Sequence, residues 1–271
     1  MRKDETRLFS ALLRHWRTRR GMSQLDLAIA ADVSSRHVSF LETGRAQPGR
    51  EMILALAAAL DVPLRDQNVL LDTAGFPPAF DEPSLDRGMP PAIGQALDRM
   101  LAHHEPFPMA VMTRTYDLVR ANRAATRLLG AMVLEPAALG TPTNLMRALF
   151  DPRAARPFVV DWERTARALL SRLHRESLAR PSDEPLASLV QALLEYPDVP
   201  EGFRQPDFAA PSEPTFTLRV RRGDLALAFL TTVTAFNAPQ NVTLEELRIE
   251  SYFPLDDATA AACEAMAKRA P

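Results

Sequence analysis

The stretch SQLDLAIAADVSSRHVSFLETGR, residues Ser23–Arg45, decides the fold of the first part of the chain. Ser23 is followed by Asp26 three residues later, and this spacing predicts a capping box at the start of a helix. The apolar residues that follow recur at spacings of three and four. This pattern predicts an amphipathic helix whose buried face is formed by Leu25, Ala28 and Ile29.

A second helix is predicted directly after a tight turn at Ala31–Val33. Ser34 is placed to cap this helix, and Gly44 ends it where a positive φ angle favours glycine. Val38 and Leu41 are predicted to face inward. The outward face then carries Ser35, Arg36, His37, Ser39, Phe40 and Thr43.

The pattern SQ-x-x-LA, V-S and LE-x-G at these offsets resembles the lambda-repressor-like helix-turn-helix of the XRE family. The resemblance implies that the second helix enters the major groove of duplex DNA. An αα-hairpin with no role in DNA binding is the alternative. Phe40 either contacts a thymine methyl group or folds back onto the bundle. The predicted DNA-binding residues are Gln24, Ser34, Ser35, Arg36, His37, Ser39, Phe40, Thr43, Arg45, Gln47 and Arg50.

Arg17 lies in the preceding helix, predicted over residues 6–20. In the XRE family an Arg at the matching position pairs with the Glu that corresponds to Glu42. We therefore expect an ion pair between the first helix and the end of the recognition helix. The alternative is that Arg17 is an ordinary solvated charge of a helix surface.

The charges of the 271-residue chain are divided unevenly. Residues 1–50 carry ten Arg and Lys against five acidic residues, which gives +5, while the remainder carries −7. A basic N-terminal segment joined to an acidic body predicts a nucleic-acid contact at one end of the chain. Hydrophobic residues make up 46% of the chain, which is enough for a buried core.

The sequence does not favour an enzyme, a metal protein or a membrane protein. It has no P-loop or dinucleotide-binding glycine pattern, no cofactor motif and no recognisable catalytic set. The adjacent His103 and His104 point about 100° apart on a helix, which argues against a shared metal site. The single Cys263 permits no internal disulfide. Without an apolar run long enough for a signal peptide or a membrane span, we expect a cytoplasmic protein.

The domain organisation follows from the helices and from proline usage. Further helices predicted over 51–60 and 64–74 complete a helical bundle, so residues 1–76 form an all-α helix-turn-helix domain. Residues 77–92 are rich in proline and acidic side chains, and this composition predicts a linker. Residues 93–271 form the second domain.

The second domain is predicted to be α+β with a five-stranded antiparallel sheet. Two strands and an Asn122-capped helix open it, helices fill its middle, and three strands and a last helix close it. This order resembles a PAS domain. The predicted strands are 109–114, 117–121, 215–222, 225–236 and 247–254.

Several phrases together resemble the MmyB/MltR-like branch of XRE regulators: RHVSFLETGR, ANRAATRLLG, NLMRALFDP, the pair Asp161-Trp162, and APQNVTLEELRIESYFP. The resemblance implies a PAS-like sensor whose cavity accepts an apolar small molecule such as a fatty acid. Asn122 either caps its helix or binds a ligand head group, and Arg156 either binds a carboxylate or is a surface Arg. The predicted ligand-binding residues are Val111, Leu118, Asn122, Leu145, Phe150, Arg156, Trp162 and Phe229.

A second interpretation of this domain stays open from the sequence. A protein-interaction or dimerisation module with a filled core has the same composition as a domain with an apolar pocket. In either case one helix-turn-helix covers a short DNA site, so we expect a homodimer on an inverted-repeat operator. The dimer contact is expected in the second domain or the linker.

Overall fold

The computed structural model describes residues 3–83, 89–179, 183–205, 216–236, 239 and 241–268. The chain forms two compact units. One comprises Met1–Ser84 together with Asn237–Glu245, and the other comprises Leu85–Phe236 together with Glu246–Pro271. Each unit is described in turn.

The first unit is helical and begins with the elements predicted from the sequence. The capping box at Ser23 is formed in both directions: the backbone N of Asp26 donates to Ser23 Oγ (3.1 Å), and the backbone N of Ser23 donates to Asp26 Oδ2 (2.8 Å). Ser34 Oγ accepts from the backbone N of His37 (3.2 Å), which confirms the second cap. The helices are α1 (Lys3–Arg19), α2 (Gln24–Ala30), α3 (Ser35–Glu42), α4 (Arg50–Ala59) and α5 (Leu64–Thr73).

Gly44 ends α3 with a φ of 71°, as predicted from its position. This left-handed conformation costs glycine little, whereas a residue with a Cβ atom would be strained there. It lets the chain turn so that the backbone N of Arg45 donates to the carbonyl of Phe40 at 2.8 Å. The end of α3 and the basic loop that follows it are thereby fixed relative to each other.

The core of the first unit confirms most of the predicted inward positions and corrects two of them. Val38 and Leu41 are buried as predicted, and Ile53, Leu56 and Leu60 are buried with them in the core. The predicted buried residues Leu25 and Ile29 are 58% and 72% exposed, and Leu27 is buried in their place beside Ala28. On α1, Leu8 is 52% exposed, whereas the next residue, Phe9, is buried in the core. A helix as short as α2 offers two possible apolar stripes, and its contacts with α3 and α4 decide which one is buried.

The second unit combines a sheet with helices, as predicted. Its strands are β1 (Met109–Met112), β2 (Leu118–Ala121), β3 (Phe216–Arg222), β4 (Leu225–Thr234) and β5 (Arg248–Pro254). Its helices are α6 (Pro91–His103), α7 (Arg123–Ala131), α8 (Leu145–Phe150), α9 (Trp162–Ala179), α10 (Glu184–Leu194) and α12 (Asp257–Lys268). The short helix α11 (Val242–Glu246) precedes β5 along the chain and belongs, up to Glu245, to the first unit. Short 3-10 turns lie at Pro136–Leu139, Arg156–Phe158 and Glu201–Arg204.

Within the described residues, the five strands form one antiparallel sheet in the order β2-β1-β5-β4-β3. Two hairpins, β1–β2 and β3–β4, therefore flank the central strand β5. Ala110 pairs with Glu250 across β1 and β5, and Leu218 pairs with Phe229 across β3 and β4. Because residues alternate between the two faces of a strand, this register decides which side chains meet the middle helices.

The short helix α11 was not predicted from the sequence. Its segment lies between β4 and β5 along the chain, yet Asn237–Glu245 belongs to the first unit. The backbone N of Val242 donates to the carbonyl of Asp81 at 3.0 Å. Glu245 Oε2 accepts from the backbone N of Leu64 at 2.9 Å. A carboxylate at this position favours the start of α5, because the N-terminus of a helix carries partial positive charge.

Candidate nucleic-acid interface and apolar cavity

The outward face of α3 is a short polar surface with one cation. Ser35 and Arg36 are exposed, while His37, Ser39 and Phe40 are half-buried. The guanidinium of Arg36 lies over the ring of Phe40, 5.2 Å from its centroid. The ring therefore supports the side chain of Arg36 and is not fully withdrawn into the bundle.

The loop after α3 adds further charge next to this face. Arg45, Gln47 and Arg50 are all exposed. Thr43 Oγ1 donates back to the carbonyl of Ser39 at 2.8 Å, so its remaining capacity is to accept a hydrogen bond. The loop and the first residue of α4 thus present two exposed guanidinium groups and one exposed amide, which are donors that suit phosphate oxygens.

The predicted pair between Arg17 and Glu42 is confirmed, and Gln24 joins it. Arg17 Nε donates to Glu42 Oε1 at 2.6 Å and Arg17 Nη2 donates to Oε2 at 2.9 Å. Gln24 Nε2 donates to Glu42 Oε2 at 2.8 Å. Burial raises the pKa of the Glu42 carboxyl, but the hydrogen bonds from Arg17 and Gln24 and the charge of Arg17 outweigh it, and the pKa lies below its ordinary range.

A polar cleft beside the end of α3 was not anticipated from the sequence. Its volume is about 490 Å³, and it lies between α1 and the residues Thr43 and Gly44. Arg7 and Arg14 of α1 line it and are exposed. Arg7 and Arg14 are seven residues apart in the sequence, which is about two helical turns. This spacing could have predicted that both lie on one face of α1.

The second unit contains an apolar cavity between the sheet and the helices α7 and α8. Its volume is about 150 Å³. The sheet contributes Ala110, Leu118, Leu218, Val220 and Tyr252, and the helices contribute Leu128, Leu129, Leu145, Ala148 and Leu149. Among the described residues that line it, none is charged, and Thr126 and Tyr252 are the two with a hydroxyl group.

The structure places two of the predicted cavity residues, Leu118 and Leu145, in this lining. Val111 was predicted to line the cavity, but it does not. It is fully buried, but its neighbour Ala110 faces the cavity, and adjacent residues of a strand point to opposite faces. Val111 pairs in register with Ile249, and both side chains lie on the other face of the sheet.

Phe150, Trp162 and Phe229 also lie behind the cavity wall rather than in it. On α8, Leu145, Ala148 and Leu149 share the cavity face, so Phe150 turns away and meets the ring of Trp162 edge-on at 5.7 Å. The indole N of Trp162 donates to the carbonyl of Leu149 at 3.0 Å. Phe229 packs edge-on against Tyr252, with ring centroids 5.9 Å apart.

Asn122 and Arg156 hold the fold together at positions outside this lining. Asn122 Oδ1 accepts from the backbone N of Met109 (3.0 Å) and of Ala125 (2.9 Å), and Nδ2 donates to the carbonyl of Phe107 (2.7 Å). The predicted cap of α7 is therefore confirmed, and a ligand would compete with these bonds.

The guanidinium of Arg156 stacks on Trp162, 3.9 Å from the ring centroid. It also donates to the carbonyl of Pro197 at 2.5 Å and to Asp198 Oδ2 at 3.1 Å. The side chain is neither a free surface cation nor a cavity residue. This corrects its predicted placement near a ligand head group.

A buried polar row on β5 runs beside the cavity and was missed from the sequence. Tyr252 Oη donates to Glu250 Oε2 at 3.1 Å, and Glu250 is 6% exposed. Burial raises the pKa of the Glu250 carboxyl, although the charges of Arg172 and Arg248 and hydrogen bonds from Tyr252 and Thr231 act in the opposite direction. The alternation of Arg248, Glu250 and Tyr252 along one strand was the signal that they share a face.

Further along this row, two arginines share one carboxylate. Arg248 Nη2 donates to Glu176 Oε2 at 2.8 Å, and Arg172 Nε donates to Glu176 Oε1 at 3.0 Å. Arg248 Nη1 also donates to Tyr116 Oη at 2.6 Å. Burial, partly offset by the charge of Arg248, raises the pKa of Tyr116 to about 12. The guanidinium groups of Arg172 and Arg248 are therefore both bonded to partners within the protein.

Among the described residues, no helix combines the length and apolar composition that a membrane span requires. No curated protein matches the chain significantly. Among solved structures, one described as "Structure of an RNA-binding Light-Oxygen-Voltage Receptor" aligns at 14% identity with a TM-score of 0.28. The alignment covers 94% of this chain and 61% of that chain, so this chain spans less than two thirds of that structure's length.

Two family models match the chain in consecutive regions. A helix-turn-helix domain matches residues 8–70, which contain the capped helices α2 and α3. The MmyB-like transcription regulator ligand binding domain matches residues 93–266, which contain the sheet and the apolar cavity. The chain therefore belongs to the family of DNA-binding transcription regulators with an MmyB-like ligand-binding domain.

Proposed function

We propose that this regulator reads a specific duplex sequence with α3 and that its second unit binds an apolar small molecule. A fatty acid is the candidate ligand that the family resemblance implies. The observation that carries the first part is the exposed face of α3, where Arg36 stands next to short hydroxyl side chains. A helix with such a face fits the major groove, where an Arg reads guanine through two hydrogen bonds.

The basic loop and the cleft support the same orientation on DNA. Arg45 and Arg50 follow the end of α3 along the chain, and Arg7 and Arg14 line the cleft beside Thr43 and Gly44. We assign all four to phosphate contacts, which fix the position of the protein without reading sequence. Arg36 is then the arginine that we assign to base recognition.

The cavity supports the second part of the proposal. Its lining is almost entirely aliphatic, and it lies between the sheet and the helices, where apolar ligands commonly bind. Burying an alkyl chain there would contribute about 0.8 kcal/mol per CH₂. The alternative remains a domain that contacts a partner protein and binds no small molecule.

We further propose that the regulator acts as a symmetric homodimer on an inverted repeat. One recognition helix covers only a short site, and two of them one helical turn apart would supply the missing affinity. Sedimentation of the full chain at micromolar concentration with operator DNA measures this directly. A complex with one protein chain per operator would contradict the proposal.

The first experiment selects binding sites for the full chain from a random duplex library. We expect one enriched motif and a steep loss of affinity with salt, because phosphate contacts release counterions. Equal binding of selected and scrambled duplexes would contradict sequence-specific binding.

The second experiment titrates long-chain fatty acids into the full chain and measures operator affinity with and without them. In a Trp16→Phe variant, Trp162 reports on the cavity, because its indole is bonded to the cavity-lining Leu149. A change in Trp162 fluorescence together with a change in operator affinity supports a sensor. No change in either signal would favour the partner-protein alternative.

A further inference from the structure

The connection between β4 and β5 belongs to the first unit, although both strands lie in the second. The chain leaves the second unit after Phe236, contributes Asn237–Glu245 to the first unit and returns to the second at Glu246. We call Asn237–Glu245 the β4–β5 segment. Neighbouring antiparallel strands need only a two-residue hairpin to connect them, so the sheet itself does not require this longer route.

Specific contacts hold the β4–β5 segment in the first unit. The backbone N of Val242 donates to the carbonyl of Asp81, and Thr243 Oγ1 donates to the carbonyl of Pro83 at 2.7 Å. The side chain of Val242 is fully buried. The segment is therefore packed and hydrogen-bonded as an element of the helical unit.

The last residue of the β4–β5 segment completes the start of α5. Pro63 precedes this helix and provides no side-chain cap, so the first N–H groups of α5 need an acceptor from elsewhere. Glu245 Oε2 accepts from the backbone N of Leu64 at 2.9 Å, and its negative charge suits the N-terminus of a helix. Because α5 packs against α1 and shares a core with α3, this contact bears on the DNA-binding surface.

The next residue along the chain is anchored in the second unit. Glu246 Oε2 lies 2.9 Å from Arg114 Nε, and the two side chains are 9% and 10% exposed. Arg114 also pairs with Asp183, whose side chain caps α10. β5 then begins at Arg248 and carries Tyr252 of the cavity lining. Two consecutive carboxylates are thus fixed in different units.

We propose that the β4–β5 segment couples the occupancy of the cavity to the DNA-binding surface. A ligand that contacts Tyr252 and binds better to one position of β5 shifts the population toward that position. The strand displaces the carboxylate of Glu245 at the start of α5 through the short chain that joins them. The packing of α5 on α1 then carries the change to α3, which α1 holds through Arg17 and Glu42.

The inference rests on the proposed function, that the cavity binds a ligand and α3 binds DNA, and it adds the route between them. Its first test needs neither ligand nor DNA. In Glu245→Ala, hydrogen exchange should accelerate at least about tenfold at the start of α5 and in Val242–Glu246, the factor expected for loss of a hydrogen bond to a charged group.

The control for hydrogen exchange is Glu264→Ala, which removes a carboxylate from an exposed position of α12. It should leave exchange at the start of α5 unchanged. Unchanged exchange at the start of α5 in Glu245→Ala would overturn the inference, because the segment would then have no hold on that helix.

The second test lengthens the link and measures the coupling. Two glycines inserted between Glu245 and Glu246 leave both anchors in place, whereas the same insertion between Gly223 and Asp224 lengthens an exposed turn of the same sheet. In the wild type and in the turn variant, hexadecanoate should change operator affinity by about 5- to 150-fold. In the segment variant this factor should fall to about one, while hexadecanoate and operator DNA each still bind alone.

The outcomes separate the inference from the proposed function. An unchanged factor in the segment variant, or binding of both partners by the wild type without any effect of one on the other, would overturn the inference and leave the proposed function in place. Absence of hexadecanoate binding would count against the proposed ligand. Because coupling is reciprocal, operator DNA alone should still slow hydrogen exchange in β5 of the wild type and not of the segment variant. Equal exchange in β5 with and without operator would then overturn the inference.

Discussion

Arg17 and Glu42 form a two-point ion pair that joins the last turn of α1 to the last residue of α3, with N–O distances of 2.6 and 2.9 Å. Their side chains are 11% and 3% exposed, so the pair is largely withdrawn from water. Arg17 Nη1 also donates to the carbonyl of Met22 at 2.8 Å. The geometry of α3 relative to α1 therefore depends on a charged contact as well as on apolar packing.

We expect Glu42→Gln to destabilise the protein by about 3 kcal/mol, because it leaves the guanidinium of Arg17 without its counter-charge. Urea unfolding of the wild type and the variant measures the loss. Glu163→Gln is the matched control, since Glu163 pairs with Arg167 on an exposed helix surface and such pairs contribute about 0–1 kcal/mol. Equal effects of the two substitutions would contradict a structural role for the buried pair.

The same pair predicts how stability falls in acid. The pKa of Glu42 is lowered by folding, so its contribution is present above the unfolded pKa of about 4.3 and is lost as pH falls through the folded pKa. Between pH 5 and pH 3, wild-type stability should decrease more steeply than that of Glu42→Gln. Parallel curves over this range would show that Glu42 does not contribute the difference.

Much of the first unit was predictable because its signals are local. Ser23 and Ser34 cap helices whatever lies around them, and Gly44 ends α3 through its own backbone freedom. The burial of Leu27 in place of Leu25 was not predictable in this way. It depends on which side of a two-turn helix meets its neighbours, and that is decided by contacts distant in sequence.

The cavity was predictable as a region and not as a set of residues. The resemblance to a PAS-like domain implied a cavity between sheet and helices, but a shift of one residue in register exchanges the two faces of a strand. Ala110 lines the cavity for this reason, and Val111 does not. The segment around Glu245 carries no local pattern that would have placed it in the first unit.

Asn122 is expected to be among the most sensitive positions of the second unit. Asn122→Ala removes an acceptor of two backbone N–H groups and a donor to the carbonyl of Phe107 within a buried site. Since each buried group left without a partner costs about 1–3 kcal/mol, we expect a loss of at least about 3 kcal/mol.

Thermal unfolding with Asn68→Ala as the control checks the prediction for Asn122. Asn68 makes comparable bonds to Ala79 and Phe80 at a partly buried site in the first unit, where water can replace the lost partners. A smaller loss for Asn122→Ala than for Asn68→Ala would argue against the role assigned to the cap of α7.

Glu250 should give a pH dependence of the opposite sign to that of Glu42. Because burial raises its folded pKa, the folded state holds the proton more tightly, and stability falls as pH rises from about 4.3 through the folded pKa. Glu250→Gln keeps the shape and removes the charge, so it should abolish this slope and stabilise the protein at neutral pH. An unchanged pH profile in the variant would contradict the role of Glu250. Chemical unfolding at several pH values measures the slope.

The last prediction separates base reading from phosphate contact on the DNA-binding surface. Arg36 lies exposed on α3 over the ring of Phe40, so Arg36→Ala should cost about 1–3 kcal/mol at one base position and relax specificity there. Arg45→Ala should weaken binding to all sequences alike and reduce the slope of log affinity against log salt by about one unit.

Affinities of both variants for the selected operator and its single-base changes, at several salt concentrations, distinguish the two roles. Arg219→Ala, at an exposed position of β3 in the second unit, is the control for loss of a positive charge and should leave both quantities unchanged. Full sequence preference in Arg36→Ala would mean that another face of the first unit reads the bases. A base-specific loss in Arg45→Ala would place the loop in the groove rather than on the phosphates.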